Sequence, residues 1–379
     1  MTLDLLCRVV DNYGDIGVVY RLARALSELP AAPRLRLIVD DLQAFSLLEP
    51  AVDPALPVQL VRGWTVLSWA GPAPGNGPGS EAAYRAAYAG NPARAVIECF
   101  ACGRPGWFEA LLFDPDDPAV KTIVNLEYLT AEDYADEFHK MPSLTRSSRV
   151  KKFMFLPGFT AATGGLILDD AFMRACARSS RARCNPAELY RIMVFGYERD
   201  YSGMVGDIAV FGLDRPVQVL LASGKSQNCF LDAWERAGRL FPVEALPFLQ
   251  QESWDELLAA CDFMIVRGED SLSRAVLSGR PFLWQAYPQE GAHQLVKVTA
   301  LLDRMRPHFQ AAAFQPVESA FLAFNDRLTD NPLVRGTERI LPLLRNEGGL
   351  AGSFTAFSQA LVANGNLASS LMTFLREIV

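Results

Sequence analysis

Short, uninterrupted apolar runs alternate along this chain with stretches whose apolar residues recur at helical spacing. No other feature constrains the fold as much. Residues 3–10 are a run of strand length. A turn containing Gly14 and Gly17 follows, and then Val19, Leu22, Ala23, Leu26 and Leu29 recur on one helical face. Residues 35–39 are a second run, closed by Asp40 and Asp41. Residues 96–100 and 122–126 are further candidate strands. A strand that is apolar on both faces must be covered on both faces. The pattern therefore predicts a parallel sheet flanked by helices.

The alternation pauses and then restarts. The polar, basic stretch 179–186, SSRARCNP, reads as a linker. Beyond it, residues 192–197, 217–222, 263–266 and 281–287 read as strands, and 255–260, 271–277 and 293–305 as helices. From residue 318 onward the chain reads as mainly helical, with Phe321, Phe324 and Leu328 on one face. The 379 residues give length for two or three domains of roughly 150 residues each. We expect a Rossmann-like domain over 1–178 and a second over 187–360. A C-terminal helix over 361–379 is expected to pack back on the first domain. The Gly- and Pro-rich run 71–80 is expected to be an exposed loop inside that domain.

Charge and cysteine usage exclude several classes of function. The net charge is −7, and no long Lys/Arg run is present, so neither nucleic acid nor a membrane surface is an expected partner. The N-terminal apolar run carries Asp4 and Arg8 and reads as a buried strand, not a signal peptide. No apolar stretch reaches the ~18 residues of a membrane span. Seven cysteines, an odd number, suit a reducing compartment and a cytoplasmic location. Cys99 and Cys102 form a CxxC with no second ligand pair at matching spacing, so they read as buried or half-buried thiols and not as a metal site.

In parallel sheets, ligands bind beyond the carboxyl ends of the strands. Two clusters stand there. The first is Asp11-Asn12-Tyr13-Gly14-Asp15-Ile16-Gly17, between the first strand and the first helix. It is not a GxGxxG fingerprint, and two carboxylates at a loop repel phosphates. The cluster suits a cationic or hydroxylated partner, or the removal of a proton. A plainer reading makes Asp15 a helix cap and Asp11 a turn former. The second cluster is Val266-Arg267-Gly268-Glu269-Asp270-Ser271. There Arg267 can fork onto diphosphate oxygens, Ser271 opens a helix, and Glu269 and Asp270 can accept from sugar hydroxyls. The plainer reading is a surface turn with an Arg–Glu pair and a Ser cap.

Aromatic residues lie near the same strand ends. Phe195, Tyr197 and Phe248 are placed to stack on a base or to fill a core. Tyr287, Gln289 and Glu290 follow the strand 281–287, and a phenol there can reach a phosphate. His293 reads as a helix-start residue. Asp114, Asp116 and Asp117 spell a DxD inside an acidic, Pro-rich turn, which reads as solvated. No metal is expected, because Arg267 and a helix N-terminus can supply positive charge for a leaving diphosphate.

Five segments taken together carry a resemblance. They are DNYGDIGVVYRLARAL from Asp11, NLEYLTAEDY from Asn125, LPGFTAATGGL from Leu156, LPFLQQESWDELLAACDFMIVRGEDSLSRA from Leu246, and WQAYPQEGAH from Trp284. In this order they resemble the protein-arginine rhamnosyltransferases that modify translation elongation factor P. The segment 226–230, SQNCF, departs from that pattern, and PQEGAH is one residue shorter than the usual form. The resemblance implies the GT-B glycosyltransferase fold, with two facing Rossmann-like domains and a central cleft. It implies dTDP-β-L-rhamnose as donor, inversion at the anomeric carbon, and no cofactor or metal. The acceptor would be an arginine of elongation factor P, activated for rescue of ribosomes stalled at polyproline.

The resemblance also implies roles for single residues. Asp15 would be the general base, with Asp11 its companion and Asn12 beside them at the acceptor. Arg267, Ser271 and Tyr287 would hold the diphosphate, with Glu269 and Asp270 in the same donor motif. Phe248 would pack on thymine, with Phe195 a second aromatic there and Tyr197 in the same donor site. A GT-B transferase with another acceptor, a nucleotide-sugar epimerase and a non-catalytic nucleotide-sugar sensor are the alternatives.

Overall fold

The computed structural model describes residues 1–10, 13–69, 89, 93, 95–182, 188–326 and 339–379. It divides into two compact α/β units, Met1–Leu168 with Asn364–Val379, and Asp169–Ala363. Among the described residues no helix is long and apolar enough to cross a membrane.

The first unit is built on β1 (Thr2–Cys7), β2 (Arg34–Val39), β3 (Val58–Val61), β4 (Trp64–Ser68), β5 (Ala95–Cys99), β6 (Lys121–Leu126), β7 (Pro142–Ser143) and β8 (Val150–Phe155). Their order in the sheet is β3-β4-β2-β1-β5-β6-β8-β7. Pairing is parallel except for β3 with β4 and β7 with β8 at the two edges. None of these four strands is among those expected from the sequence. β1 stops at Cys7, three residues short of the expected end. The amide of Val9 donates to the Asp40 carboxylate and that of Val10 to Asp15, both at 2.8 Å, so the backbone leaves the ladder for side chains. Inside the sheet, Asp4 of β1 and Arg36 of β2 are register neighbours and form a buried two-pronged pair, at 2.6 and 3.0 Å.

The helix Gly14–Ser27 covers β1, with Val19, Leu22, Ala23 and Leu26 all buried. The C-terminal helix Leu367–Ile378 joins the same core, placing Leu371, Phe374 and Leu375 among the residues of β1, β2 and β5. Chain from the far end of the sequence therefore completes the first unit, beginning at Asn364.

The second unit contains β9 (Tyr190–Val194), β10 (Val217–Leu221), β11 (Val243–Ala245), β12 (Phe263–Arg267) and β13 (Phe282–Gln285). All are parallel, in the order β11-β10-β9-β12-β13. The boundary differs from the expected one. The helix Asp170–Ala182 belongs to this second unit, so Ser179 and Ser180 are helical and not linker; residues 183–187 lie outside the described set. Phe172 of that helix is buried, and the Arg274 guanidinium lies over its ring at 5.1 Å. The helical tail begins earlier than expected, with Ala311–Asn325, where Phe321 and Phe324 are buried. Leu328 and the run 71–80 also lie outside the described residues.

Candidate active site

In the second unit the chain order reverses between β9 and β12. The carboxyl ends on either side of such a reversal flank a crevice. Phe195, Gly196 and Tyr197 follow β9 on one side, and Arg267 ends β12 on the other. The guanidinium carbon of Arg267 lies 4.6 Å from the Phe195 ring centre and 4.7 Å from that of Tyr197. Tyr287, two residues past β13 and well exposed, meets Tyr197 edge-on at 5.6 Å. Trp254 supports Phe195 in the same way at 5.2 Å. The structure thus brings Phe195, Tyr197, Arg267 and Tyr287 into one cluster.

The turn that carries the two rings is held by side chains. Gly196 donates its amide to Ser226 Oγ at 3.1 Å, Tyr197 donates its amide to Gln285 Oε1 at 2.7 Å, and the Tyr201 hydroxyl donates to the Tyr197 carbonyl at 2.8 Å. This is why β9 ends at Val194 and not at the expected residue 197. A side chain on Gly196 would put its Cβ 2.8 Å from Gln285 Oε1 and closer still to the Tyr201 hydroxyl. The close approach leaves room for a glycine only.

Two helix starts flank Arg267. The helix Glu269–Ser278 follows it directly, entered through Gly268 at φ 70°, a left-handed conformation suited to glycine. The Trp284 indole donates to the Gly268 carbonyl at 3.2 Å and steadies that turn. The helix Lys225–Arg236 starts after Gly224, whose Cβ position is 3.5 Å from Arg267 Nη2. A helix N-terminus carries about half a positive charge and presents amide donors, so the arrangement favours an anion. Ser271 is buried in the first turn of its helix, where Gly268 and not a serine stands at the cap, so the Ser-cap reading fails. Glu269 and Asp270 share that turn. Phe248 follows β11. It is half-exposed, and β11 lies two strands from β9.

In the first unit the reversal falls between β1 and β5. Asp15 sits there, buried, as the second residue of its helix. The N-cap is Tyr13, with no side-chain cap bond, so the capping role considered for Asp15 is not the one it plays. Its Oδ2 accepts from the Val10 amide and its Oδ1 from the Tyr128 hydroxyl, both at 2.8 Å. Two donors from different elements fix the plane and direction of this carboxylate. Tyr128 follows β6 by two residues and stacks on Phe100 at 4.3 Å with 11° between the rings. Phe100 and Ala101 both have positive φ, 61° and 49°, so the backbone after β5 is held in an unfavoured conformation under that ring. Glu98 is committed elsewhere, to Arg104 at 2.9 Å and Lys152 at 3.0 Å. Asp11 and Asn12 lie outside the described residues.

In the DxD run, Asp114 accepts from the Asp116 amide and Asp117 from that of Ala119, each at 2.9 Å; Asp117 also pairs with Lys121 at 2.8 Å. Lys121, with the Ala119 amide, holds the Asp117 carboxyl below its ordinary range. Cys99 is buried and Cys102 half-buried. Burial pushes both thiols up, Cys102 to about 12, away from thiolate chemistry. His293 is the N-cap residue of the helix Gln294–Met305.

Sequence reasoning missed Tyr128, Phe100, Gly196, Ser226, Trp254 and Gln285. Two of them left a signal: Tyr128 stands just past an apolar strand, and Gln285 is an amide inside an apolar one. The segment 226–230, which departs from the family pattern, lies in the first half of a helix. It supplies Ser226 to the turn at Gly196 and buries Phe230 against Tyr201 at 5.5 Å.

Residues 3–376 match the family model described as elongation-factor P (EF-P) rhamnosyltransferase EarP. A protein-arginine rhamnosyltransferase of Pseudomonas putida is 34% identical, over 99% of both chains. One of Shewanella oneidensis is 34% identical over 79% of each. Among solved structures, EarP, described as mediating arginine glycosylation of translation elongation factor EF-P, aligns with a TM-score of 0.57 at 23% identity, covering 100% of this chain and 99% of that one. The spinosyn rhamnosyltransferase SpnG aligns with a TM-score of 0.52 at 12% identity, over 99% and 100%. A UDP-GlcNAc 2-epimerase of Neisseria meningitidis also reaches 0.52, at 8% identity over the full length of both chains, so the fold alone does not separate transferase from epimerase. The fold is that of the GT-B glycosyltransferases, and the chain belongs to the EarP family of elongation-factor P rhamnosyltransferases.

Proposed function

We propose that this protein transfers L-rhamnose from dTDP-β-L-rhamnose to an arginine side chain of translation elongation factor P, in the cytoplasm, with inversion at the anomeric carbon. The observation that carries this reading is the Arg267 guanidinium held against two aromatic faces, beside one helix start and leading into another. That arrangement suits a nucleoside diphosphate: rings for the base and sugar, fixed positive charge for the phosphates. In this reading Ser271 and Tyr287 join Arg267 at the diphosphate. Phe195, Tyr197 and Phe248 face the nucleoside, and Glu269 and Asp270 accept from sugar hydroxyls.

The acceptor chemistry falls to Asp15, with Asp11 and Asn12 as further acceptor-binding residues. A guanidinium stays protonated, with a pKa above about 12, and is a poor nucleophile. A carboxylate that binds the cation can orient one nitrogen and take its proton as the new C–N bond forms. The C–O bond to the diphosphate breaks in the same displacement. The electron pair leaves with the thymidine diphosphate, where Arg267 and the helix starts offset its charge. No metal is required in this scheme, and one displacement inverts the sugar.

The test is the intact mass of purified elongation factor P after incubation with enzyme and dTDP-β-L-rhamnose. The reading expects a gain of one deoxyhexose on one arginine. Unchanged mass, with the donor epimerised in a control lacking the acceptor, would replace the transferase reading by the epimerase one.

A further inference from the structure

We infer that Tyr128 is a positioning residue of the acceptor site, orienting Asp15 through its hydroxyl and offering its ring to the acceptor's guanidinium. The inference rests on the proposed role of Asp15 as the base. Three observations carry it. The hydroxyl donates to Asp15 Oδ1 at 2.8 Å, across 113 residues of sequence. The ring is stacked on Phe100, nearly parallel, so its tilt beside the carboxylate is set. Tyr128 nevertheless keeps 41% of its surface exposed, while Asp15 keeps 3%. A tyrosine serving only to fill the core would be covered like its neighbours. This one presents aromatic surface beside a buried anion.

A carboxylate flanked by an aromatic ring suits a planar, weakly hydrated cation. A guanidinium can direct N–H donors at the carboxylate while its face meets the ring. An ammonium ion or a sugar hydroxyl would use the carboxylate but gain less from the ring. The pairing therefore favours arginine over lysine as acceptor. During transfer the hydroxyl hydrogen stays on Tyr128, and the proton lost by the guanidinium goes to Asp15. The cost of holding Phe100 and Ala101 at positive φ fits a segment shaped to support this ring.

The experiment compares Tyr128→Phe, Tyr128→Leu and Asp15→Asn, with elongation factor P as acceptor and dTDP-β-L-rhamnose as donor. Tyr128→Phe keeps the ring and removes the donor to Asp15. It should lower kcat roughly tenfold to a hundredfold, the worth of a hydrogen bond to a charged group, with acceptor KM unchanged. Tyr128→Leu removes the ring as well and should raise acceptor KM about three- to tenfold further. A purely structural tyrosine would not split kcat from KM in this way, nor would phenylalanine restore KM. If Asp15→Asn is inactive while Tyr128→Phe keeps wild-type kcat, the positioning role is wrong and the proposed function stands. If Asp15→Asn still transfers rhamnose, the role of Asp15 fails and this inference fails with it.

Discussion

The two sheets place their candidate residues at the same topological position and give them opposite charge. Beyond β9 and β12, Arg267 is pressed against Phe195 and Tyr197. Beyond β1, Asp15 is held by one backbone amide and one phenol. The difference follows from what each charge needs. A guanidinium is delocalised and weakly hydrated, so ring faces can hold it. A carboxylate only accepts, so when buried it must be given donors. Parallel-sheet topology determines where a site forms, and a few side chains determine which charge it holds.

The largest effect should come from a charge that serves the fold and neither site. Asp4 and Arg36 are buried in the first sheet, and Asp4→Ala removes the carboxylate that accepts two of the guanidinium's hydrogen bonds. We expect a loss of about 3–5 kcal/mol of stability in denaturant titration, with donor affinity in the folded protein unchanged. Arg267→Ala should weaken thymidine diphosphate binding about tenfold to a hundredfold by calorimetry. Arg267→Lys should recover only part of it, since an ammonium has no planar face to lay on the rings. An unchanged affinity would dissolve the contrast between the two sites.

Gly196→Ala forces a methyl group against Gln285 and the Tyr201 hydroxyl. It should disturb the Phe195–Tyr197 turn by about 1–3 kcal/mol, read as weaker donor binding, and leave the first unit's amide-exchange protection as it is. The smallest effect concerns His139 of the first unit. Burial, aided by the charge of Lys140, pushes its imidazole down to about 4. Its Nδ1 accepts from the Leu156 amide at 3.1 Å. The unfolded chain takes up the proton first, near 6.5. This contribution is therefore complete above that pH and is lost as pH falls toward about 4. Amide exchange should show β6 and β8 losing protection on acidification before β9 and β12, and His139→Gln should reduce that gap.

The parts of this plan that were legible in sequence are those written locally. The run ending in Arg267 and the helix after it are consecutive, so apolar spacing located both. The position of Asp15 was legible for the same reason, but its surroundings were not. The residue that binds it is Tyr128, and no spacing rule links two residues so far apart. The strand ends were overestimated at Val10 and Tyr197 because apolar side chains continue there while the backbone turns to Asp15 and Gln285. The domain boundary was misplaced because the helix Asp170–Ala182 is polar along much of its length, and its buried face shows only against the second unit. The edge strands β3 and β7 carry too little apolar periodicity to stand out.

In the proposed scheme Asp15 acts on the acceptor while Arg267 holds the donor. Asp15→Asn keeps the shape of the side chain and removes its charge and its capacity as a base. We expect a calorimetric affinity for thymidine diphosphate equal to that of the unaltered protein, together with loss of rhamnose transfer to elongation factor P by at least about a hundredfold. Transfer at the unaltered rate, or donor binding lost along with transfer, would contradict it.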